Sequence, residues 1–306
     1  MKPPNQHHNT NHKKAQLPPL AHILSIVLLT IFATACKVEP QAFDGGRAMS
    51  DVHKQVSFGP RVPGSDAHSS TVEYITETLT ENDWTAEVQE TSLMNQPIRN
   101  VIGKRGAGDP WIILGAHYDT RLLADRDGDA AKWNQPVPGA NDGASGVAVL
   151  LELSRVIPMD IPGEIWLVFF DAEDNGRIPG WDWILGSTAF ANSLQAFPEE
   201  VIIVDMIGDA DLNIYQEGYS DQALTHEIWS LAAELGYADY FIPEVKHTIL
   251  DDHLPFISLG IPAVDIIDID YTYWHTSEDT PDKVSAESLQ VVGDTLLAYL
   301  TQRNRK

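Results

Sequence analysis

Five histidine and aspartate residues stand just beyond apolar stretches of the chain, where strands would end. They are His117, Asp142, Asp174, Asp205 and His275. In open parallel α/β sheets the carboxyl ends of the strands share one edge, and binding sites form there. Imidazole nitrogens and carboxylate oxygens without sulfur suit a catalytic zinc that keeps an open coordination position. The pattern therefore predicts a zinc site at one edge of a sheet.

Each of these residues alone has an ordinary structural explanation. Asp142 precedes an apolar helix and could simply cap it, and a single histidine is more often a hydrogen-bonded residue than a ligand. The ordinary explanation needs five separate coincidences at one sheet edge, whereas one metal site accounts for all five. The metal site is the favoured hypothesis.

Two further acidic residues fit supporting roles beside this site. Asp119 follows His117 by two positions and can accept a hydrogen bond from its second ring nitrogen, which would fix the tautomer. Glu173 directly precedes Asp174, so it can face the same cavity without binding the metal. That is the position of a general base.

The segments around these residues predict the elements that hold them. Apolar runs at Trp111–Leu114, Glu164–Phe170 and Val201–Val204 read as buried strands, each followed by a carboxylate or a histidine. Amphipathic helices are expected at 66–82 and from about Ser285. Because strands alternate with helices, we expect a single three-layer α/β/α sandwich with a mostly parallel, mixed central sheet.

The N-terminus differs in composition from the rest of the chain. Residues 1–35 carry lysines but no acid and contain an apolar run at 23–32, which is typical of a secretory signal. Cys36, the only cysteine, stands where lipoprotein signals place the lipidated residue. We therefore expect a lipoprotein-type signal (1–35), a tether (36–46) and a catalytic domain (47–306), exported and lipid-anchored at Cys36. A plain secretory signal or an uncleaved anchor are the alternatives.

The charge of the chain excludes one class of partner. Its 20 basic and 44 acidic residues give a net charge of −24. A nucleic-acid-binding protein would carry the opposite sign. Membrane contact is expected only through the N-terminal lipid anchor.

Six ordered sequence blocks resemble the zinc aminopeptidase and glutaminyl cyclase superfamily. The blocks are "GAHYDT", "GANDGASGVAVLLEL", "FFDAEDNG", "VDMIG", "DDHLPF" and "YWHTSEDTPDKV". Within the superfamily, "FGPRVPGS", the long insert after "HYDTR", "DDH" and the tryptophan before His275 resemble bacterial glutaminyl-peptide cyclotransferases most closely. The resemblance covers about residues 58–300. It implies a zinc-exopeptidase-like fold and an enzyme that acts on the N-termini of peptides or proteins.

The resemblance implies one of two zinc arrangements. In the cyclases a single zinc is held by the residues that match Asp142, Asp174 and His275. Glu173 then matches the acid/base, Asp205 and Asp252 match its hydrogen-bonding partners, and Trp274 matches a residue lining the substrate pocket. In the aminopeptidases two zincs are held by the residues that match His117, Asp142 (bridging), Asp174, Asp205 and His275.

Three functions remain open on the sequence. The first is cyclisation of N-terminal glutamine to pyroglutamate with release of ammonia, which needs one zinc. The second is removal of N-terminal residues by a two-zinc aminopeptidase, in which Glu173 would activate water. A remote third is a non-catalytic binding ectodomain, although such relatives usually lose ligands and this chain has lost none.

Overall fold

The apolar runs of the chain form the strands of one mixed sheet. The computed structural model describes residues 1–4 and 41–303. Its strands are β1 (Thr85–Leu93), β2 (Gln96–Arg105), β3 (Pro110–His117), β4 (Glu164–Phe170), β5 (Glu200–Asp205), β6 (Ile214–Glu217), β7 (Phe241–His247) and β8 (Ala263–Ile267). Six of them form a sheet in the order β1-β2-β4-β3-β5-β8. The strands from β4 to β8 in this order run parallel, and β1 and β2 pair antiparallel at one side.

Helices cover both faces of this sheet. They are α1 (Gly45–Ser57), α2 (Asp66–Glu81), α3 (Ala144–Val156), α4 (Leu185–Ser193), α5 (Gln222–Glu234), α6 (Leu254–Ser258) and α7 (Ala286–Arg303). Successive side chains of β3 point to opposite faces of the sheet, because the side chains of a strand alternate with a period of two. Ile112 and Leu114 belong to the apolar cluster that includes residues of α1, α2, α3, α5 and α7, whereas Ile113 belongs to the cluster that includes residues of α4 and α6. The predicted three-layer sandwich with a mostly parallel, mixed sheet is confirmed.

Helix α3 is the centre of the larger helical layer. Every residue of it except Arg155 is buried, which agrees with the apolar residues spread around it in the sequence. Gly143 caps its N-terminus with φ at 93°, and a Cβ there would come within 2.7 Å of the Asp119 carbonyl oxygen. A glycine is therefore required where the chain turns from the sheet edge into the helix.

A second, two-stranded sheet was not predicted. Strands β6 and β7 pair in parallel outside the main sheet. The middle of β7 is exposed and contains Pro243, so it lacks the apolar alternation that marks a strand in a sequence. This pair matters for function because the end of β7 leads to one wall of the candidate site.

The described N-terminal part of the fold starts before the predicted domain boundary. Helix α1 begins at Gly45 and Phe43 is buried, so the last residues of the segment predicted as a tether belong to the fold. Residues 41–303 lie in one compact unit, and residues 1–4 are exposed and belong to a separate one. The predicted signal and Cys36 fall outside the described residues, apart from residues 1–4. Within the described ranges no helix has both the length and the apolar character needed to cross a bilayer.

Arg61 is a fully buried cation in the turn before α2. Its guanidinium donates hydrogen bonds to the carbonyl oxygens of Tyr118 (2.9 Å), Pro138 (3.0 Å) and Gly139 (2.5 Å). Burial lowers the pKa of Arg61 to about 10, and the side chain therefore stays protonated at neutral pH. Arg61 thus ties the segment after β3 to the loop before α3.

We expect Arg61→Met to lower the free energy of unfolding by about 3–5 kcal/mol, because the variant leaves buried carbonyl groups and nearby carboxylates without their cation. Urea denaturation measures this change. The exposed Lys54→Met is the matched control and should stay within about 0.5 kcal/mol of the wild type. A loss at Arg61 no larger than that of the control would contradict the structural role.

Candidate metal centre

The carboxyl ends of the parallel strands bring the five predicted residues together. His117 ends β3 and Asp205 ends β5, which lies beside it in the sheet. The His117 Nε2 atom lies 3.1 Å from an oxygen of Asp205 and 3.1 Å from an oxygen of Asp142. On the other side of Asp142, the His275 Nε2 atom lies 2.7 Å from Asp174 and 3.7 Å from Asp142.

These residues form two groups that could each hold a metal ion. In each group one donor atom per residue lies within 4.8 Å of the others, and every member is buried. The groups are Asp142, Asp174 and His275, and His117, Asp142 and Asp205. Asp142 belongs to both, so it is placed to bridge two ions if two bind.

Unpartnered buried atoms test whether a cation fits here. Asp142 Oδ2 and Asp174 Oδ2 are buried and have no hydrogen-bond partner. A buried carboxylate oxygen without a partner carries a large desolvation cost unless a cation binds it. Both atoms belong to the group that includes His275, and the carboxylate and imidazole donors of that group suit zinc. The residues therefore fit the metal that the sequence predicts.

The backbone that carries Asp142 is held by Asp279, a residue that the sequence reasoning did not single out. The Asp279 carboxylate accepts hydrogen bonds from the backbone N–H groups of Asn141 (2.8 Å) and Asp142 (3.1 Å). The Tyr271 hydroxyl donates a third, at 2.7 Å. Asp279 lies four residues after His275 in the sequence. One loop therefore carries the candidate ligand His275 and also positions the candidate ligand Asp142.

Asp119 supports the site in a different way from the one predicted. Its oxygen lies 3.5 Å from His117 Nδ1, too far for a good hydrogen bond. It accepts instead from the backbone N–H of Glu173 (3.0 Å), with a longer contact from that of Asp174 (3.4 Å). Asp119 thereby fixes the turn after β4 that presents both residues.

Glu173 lines the cavity but stands outside both groups of ligands. Only 7% of the residue is exposed. Burial raises the pKa of Glu173 well above its usual value in the metal-free site, and the negative charges of Asp251 and Asp174 act in the same direction. A cation bound next to it would act in the opposite direction. Its place agrees with the predicted role of general base.

Asp251, and not the predicted Asp252, faces the cavity. The two residues are adjacent in the turn before α6, and their side chains point to different surroundings. Asp251 lines the cavity, whereas Asp252 does not. Both carboxylate oxygens of Asp252 are buried and have no hydrogen-bond partner. Burial raises the pKa of Asp252 to about 7. The hydrogen-bonding role assigned to Asp252 by resemblance therefore fits the position of Asp251.

Two tryptophan rings flank His275 at the cavity wall. Trp274 lines the cavity as predicted, and its ring centroid lies 4.1 Å from that of His275. Trp183, which the sequence reasoning missed, also lines the cavity and stacks on His275 at 6.0 Å with an interplanar angle of 15°. The cavity has a volume of about 560 Å³ and also contains apolar side chains such as Ile267. It is large enough for the end of a peptide.

A buried polar cluster lies behind the cavity wall. His253 and Asp265 are fully buried beside Asp251, and His253 Nε2 lies 3.1 Å from Glu217. Glu217 accepts hydrogen bonds from the backbone N–H groups of Tyr219, Ser220 and Ile249, at 2.8 to 3.0 Å. Since Ile249 belongs to the loop that lines the cavity, Glu217 fastens that loop to the fold.

We expect Glu217→Gln to lower the free energy of unfolding at pH 7 by about 1–3 kcal/mol, because it weakens hydrogen bonds to a charged group. Although burial opposes it, the close His253 side chain and hydrogen bonds from the backbone lower the pKa of Glu217 to about 2. A carboxyl whose folded pKa lies below its ordinary value stabilises the fold above pH 4.5, and this contribution is lost as the pH falls towards 2.

Denaturation of the wild type and of Glu217→Gln at a series of pH values measures this effect. The difference in stability between them should shrink as the pH falls from 4.5 towards 2. The exposed Glu234→Gln on α5 is the control and should differ little from the wild type throughout. A difference that is constant across the pH range would contradict the assigned charge state of Glu217.

Comparison with known proteins agrees with this site. Residues 100–300 match peptidase family M28. A glutaminyl cyclase structure from Tannerella forsythia is 35% identical with a TM-score of 0.80, over 85% of this chain and 99% of that one. A Zn-dependent exopeptidase structure from Parabacteroides distasonis is 33% identical with a TM-score of 0.80, over 86% of this chain and 99% of that one. An aminopeptidase of Bacillus subtilis is 26% identical over 72% of this chain and 48% of its own length.

These similarities confirm the superfamily that the sequence blocks indicated. The match covers the strands and loops that carry His117, Asp142, Asp174, Asp205 and His275. They also confirm the prediction of a metal-dependent enzyme. The chain belongs to peptidase family M28.

Proposed function

We propose that the protein is a zinc-dependent glutaminyl-peptide cyclotransferase, which converts the N-terminal glutamine of peptides or proteins to pyroglutamate and releases ammonia. The distribution of unpartnered atoms carries the proposal. Two unpartnered buried oxygens, Asp142 Oδ2 and Asp174 Oδ2, belong to the group with His275, whereas the group with His117 and Asp205 contains only the first of them. This pattern favours one zinc, and the similarity to bacterial glutaminyl cyclase structures supports the same reading.

The arrangement of the cavity suits this reaction. Asp142, Asp174 and His275 would hold the zinc, which when bound would polarise the side-chain amide carbonyl of the substrate. Trp274 and Trp183 both contact His275 and line the cavity, where they would confine the glutamine side chain next to Glu173.

The proton transfers fall to Glu173. Its carboxylate takes a proton from the α-amine of the substrate as that nitrogen forms a bond to the side-chain carbonyl carbon. When the bond from this carbon to the amide nitrogen breaks, Glu173 delivers the proton to the departing ammonia. A five-membered lactam remains. Asp205 and Asp251, which also line the cavity, are the neighbours placed to hold Glu173 or the substrate amine.

An aminopeptidase is the second candidate because every ligand position of a two-zinc site is filled. His117, Asp142 and Asp205 form the additional group. In that enzyme Glu173 would take a proton from a water molecule that attacks the first peptide bond. The two candidates therefore differ in the number of metal ions and in the bond that breaks.

Mass spectrometry of two matched peptides tests the proposal. The zinc-loaded protein is incubated with peptides that differ only in an N-terminal glutamine or leucine. The cyclase should remove the mass of ammonia from the first peptide and leave the second intact. Loss of the leucine residue would show an aminopeptidase, and no change in either peptide would contradict both. A parallel reaction with Glu173→Gln controls for spontaneous cyclisation.

We also propose that the protein is exported and lipid-anchored at Cys36. The charged start, the apolar run at 23–32 and the single cysteine after small residues support this proposal. Cys36→Ala should abolish incorporation of labelled fatty acid and shift the protein out of the membrane fraction. Absence of label from the wild-type chain would contradict lipidation and leave a plain secretory signal or an uncleaved anchor.

A further inference from the structure

The candidate cavity has an acidic interior and a partly basic lining. The acidic residues that line it are Asp142, Glu173, Asp174, Asp205 and Asp251, together with Asp125. Arginine and lysine side chains line it as well, at Arg121, Arg126, Arg177 and Lys246. Because the whole chain carries a net charge of −24, this concentration of cations around one cavity requires an explanation.

Two of the four cations are neutralised by neighbouring carboxylates. Arg121 forms a bidentate pair with Asp125 at 2.6 and 2.9 Å, and Lys246 contacts Asp270 at 2.7 Å. In the part of the chain that the structure describes, Arg126 and Arg177 have no carboxylate within 4.0 Å. Both are exposed. These two guanidinium groups are therefore available to a ligand.

Arg126 is fixed beside the aromatic wall of the cavity. Its guanidinium carbon lies 4.1 Å from the centroid of the Trp274 ring, and its backbone N–H donates to the His275 carbonyl oxygen at 3.2 Å. The next residue, Asp127, accepts a hydrogen bond from the Ser277 backbone N–H at 3.0 Å. Stacking and hydrogen bonds thus hold the cation next to the proposed binding pocket.

Arg177 lines the same cavity from the loop after β4, three residues after Asp174. Its backbone lies in the left-handed region with φ at 63°, which is uncommon for a residue other than glycine. The Arg121 guanidinium donates to the Asp174 carbonyl oxygen at 2.8 Å and contacts that of Gly176 at 3.3 Å. The turn that carries Arg177 is therefore tied to the site.

We propose that Arg126 and Arg177 select substrates with an acidic side chain at the second or third residue. This inference rests on the proposed function. The α-amine of the peptide would lie beside Glu173 among the interior carboxylates, and an extended chain advances about 3.3–3.6 Å per residue towards the mouth. A substrate carboxylate near the mouth would be repelled by the acidic interior unless these two cations paired with it.

The effect should be moderate and sensitive to salt. Exposed ion pairs are weak, and charges at the mouth are screened over about 10 Å at 0.1 M ionic strength. We expect a preference of about two- to fivefold in kcat/KM for an acidic over an uncharged second residue at low salt. The preference should appear mainly in KM, because the cations contact a part of the substrate that does not react.

Three matched peptides test the inference, with sequences Gln-Glu-Ala-Phe, Gln-Gln-Ala-Phe and Gln-Lys-Ala-Phe. For the zinc-loaded protein, kcat/KM should fall in that order, and the differences should diminish in high salt. In the double variant Arg126→Gln, Arg177→Gln the ratio of kcat/KM for the first peptide to that for the second should fall to one or below. Lys54→Gln, which removes an exposed cation outside the cavity lining, should keep the wild-type ratio.

Binding separates a failure of this inference from a failure of the proposed function. If none of the peptides releases ammonia, the cyclase proposal is wrong, and calorimetric affinities of the same peptides for the zinc-loaded protein still test the charge preference. Equal affinities and equal kcat/KM for the three peptides would overturn the inference. So would a preference for the acidic peptide that the double variant retains.

Discussion

Glu173→Gln is expected to lower kcat on Gln-initiated peptides by about 10²–10⁴-fold while the protein keeps its fold and its zinc. The amide cannot take the proton from the attacking amine or return it to ammonia, and this proton transfer accounts for a rate factor of that size. Since Glu173 stands outside both groups of ligands, the substitution leaves every candidate metal donor in place.

Steady-state ammonia release, zinc content and thermal unfolding together measure this result. The surface substitution Glu234→Gln makes the same chemical change on α5 and should leave all three values as in the wild type. A Glu173→Gln variant with near-normal kcat would show that another group moves the proton. A variant that has lost its zinc would instead place Glu173 among the ligands.

Asp174→Ala is expected to remove both zinc and activity. Asp174 is one of three residues in the group with unpartnered oxygens, and two remaining protein ligands bind zinc far more weakly than three. Zinc per chain after dialysis, measured by atomic emission, should fall from about one equivalent to a small fraction. Full retention of zinc would contradict the assignment of this group as the metal site.

His117→Ala is the informative companion to Asp174→Ala. With a single zinc held by Asp142, Asp174 and His275, the His117 variant should keep about one equivalent. If the wild type binds two and the His117 variant binds one, the two-zinc arrangement of the aminopeptidases is the correct one. The pair of variants therefore counts the ions and locates them.

The sequence determined the class of fold and most of the metal site. Buried strands of parallel sheets are short apolar runs, and the site of such a sheet lies where those runs stop. For this reason His117, Asp174 and Asp205 could be recognised from local pattern alone. The burial of helix α3 could also be predicted from the sequence, because apolar residues lie on most of its sides.

The second sheet, formed by β6 and β7, could not be predicted from the sequence. Strand β7 is mostly exposed and has neither apolar alternation nor a continuous apolar run. Its strand conformation comes from pairing with β6, a contact between segments that are distant in the sequence. No local pattern encodes that pairing, although the end of β7 contributes Lys246 and His247 to the cavity wall.

Only the tertiary structure decided which side chains complete the site. Asp251 and Asp252 are neighbours of the same type, and the backbone of one turn directs the first to the cavity and the second away from it. Asp279 reaches the backbone of Asp142 across 137 positions of sequence, and Arg61 joins carbonyl groups of three separate residues. Local propensity sets where a strand or helix forms, but the direction of a loop side chain follows from contacts that exist only after the chain has folded.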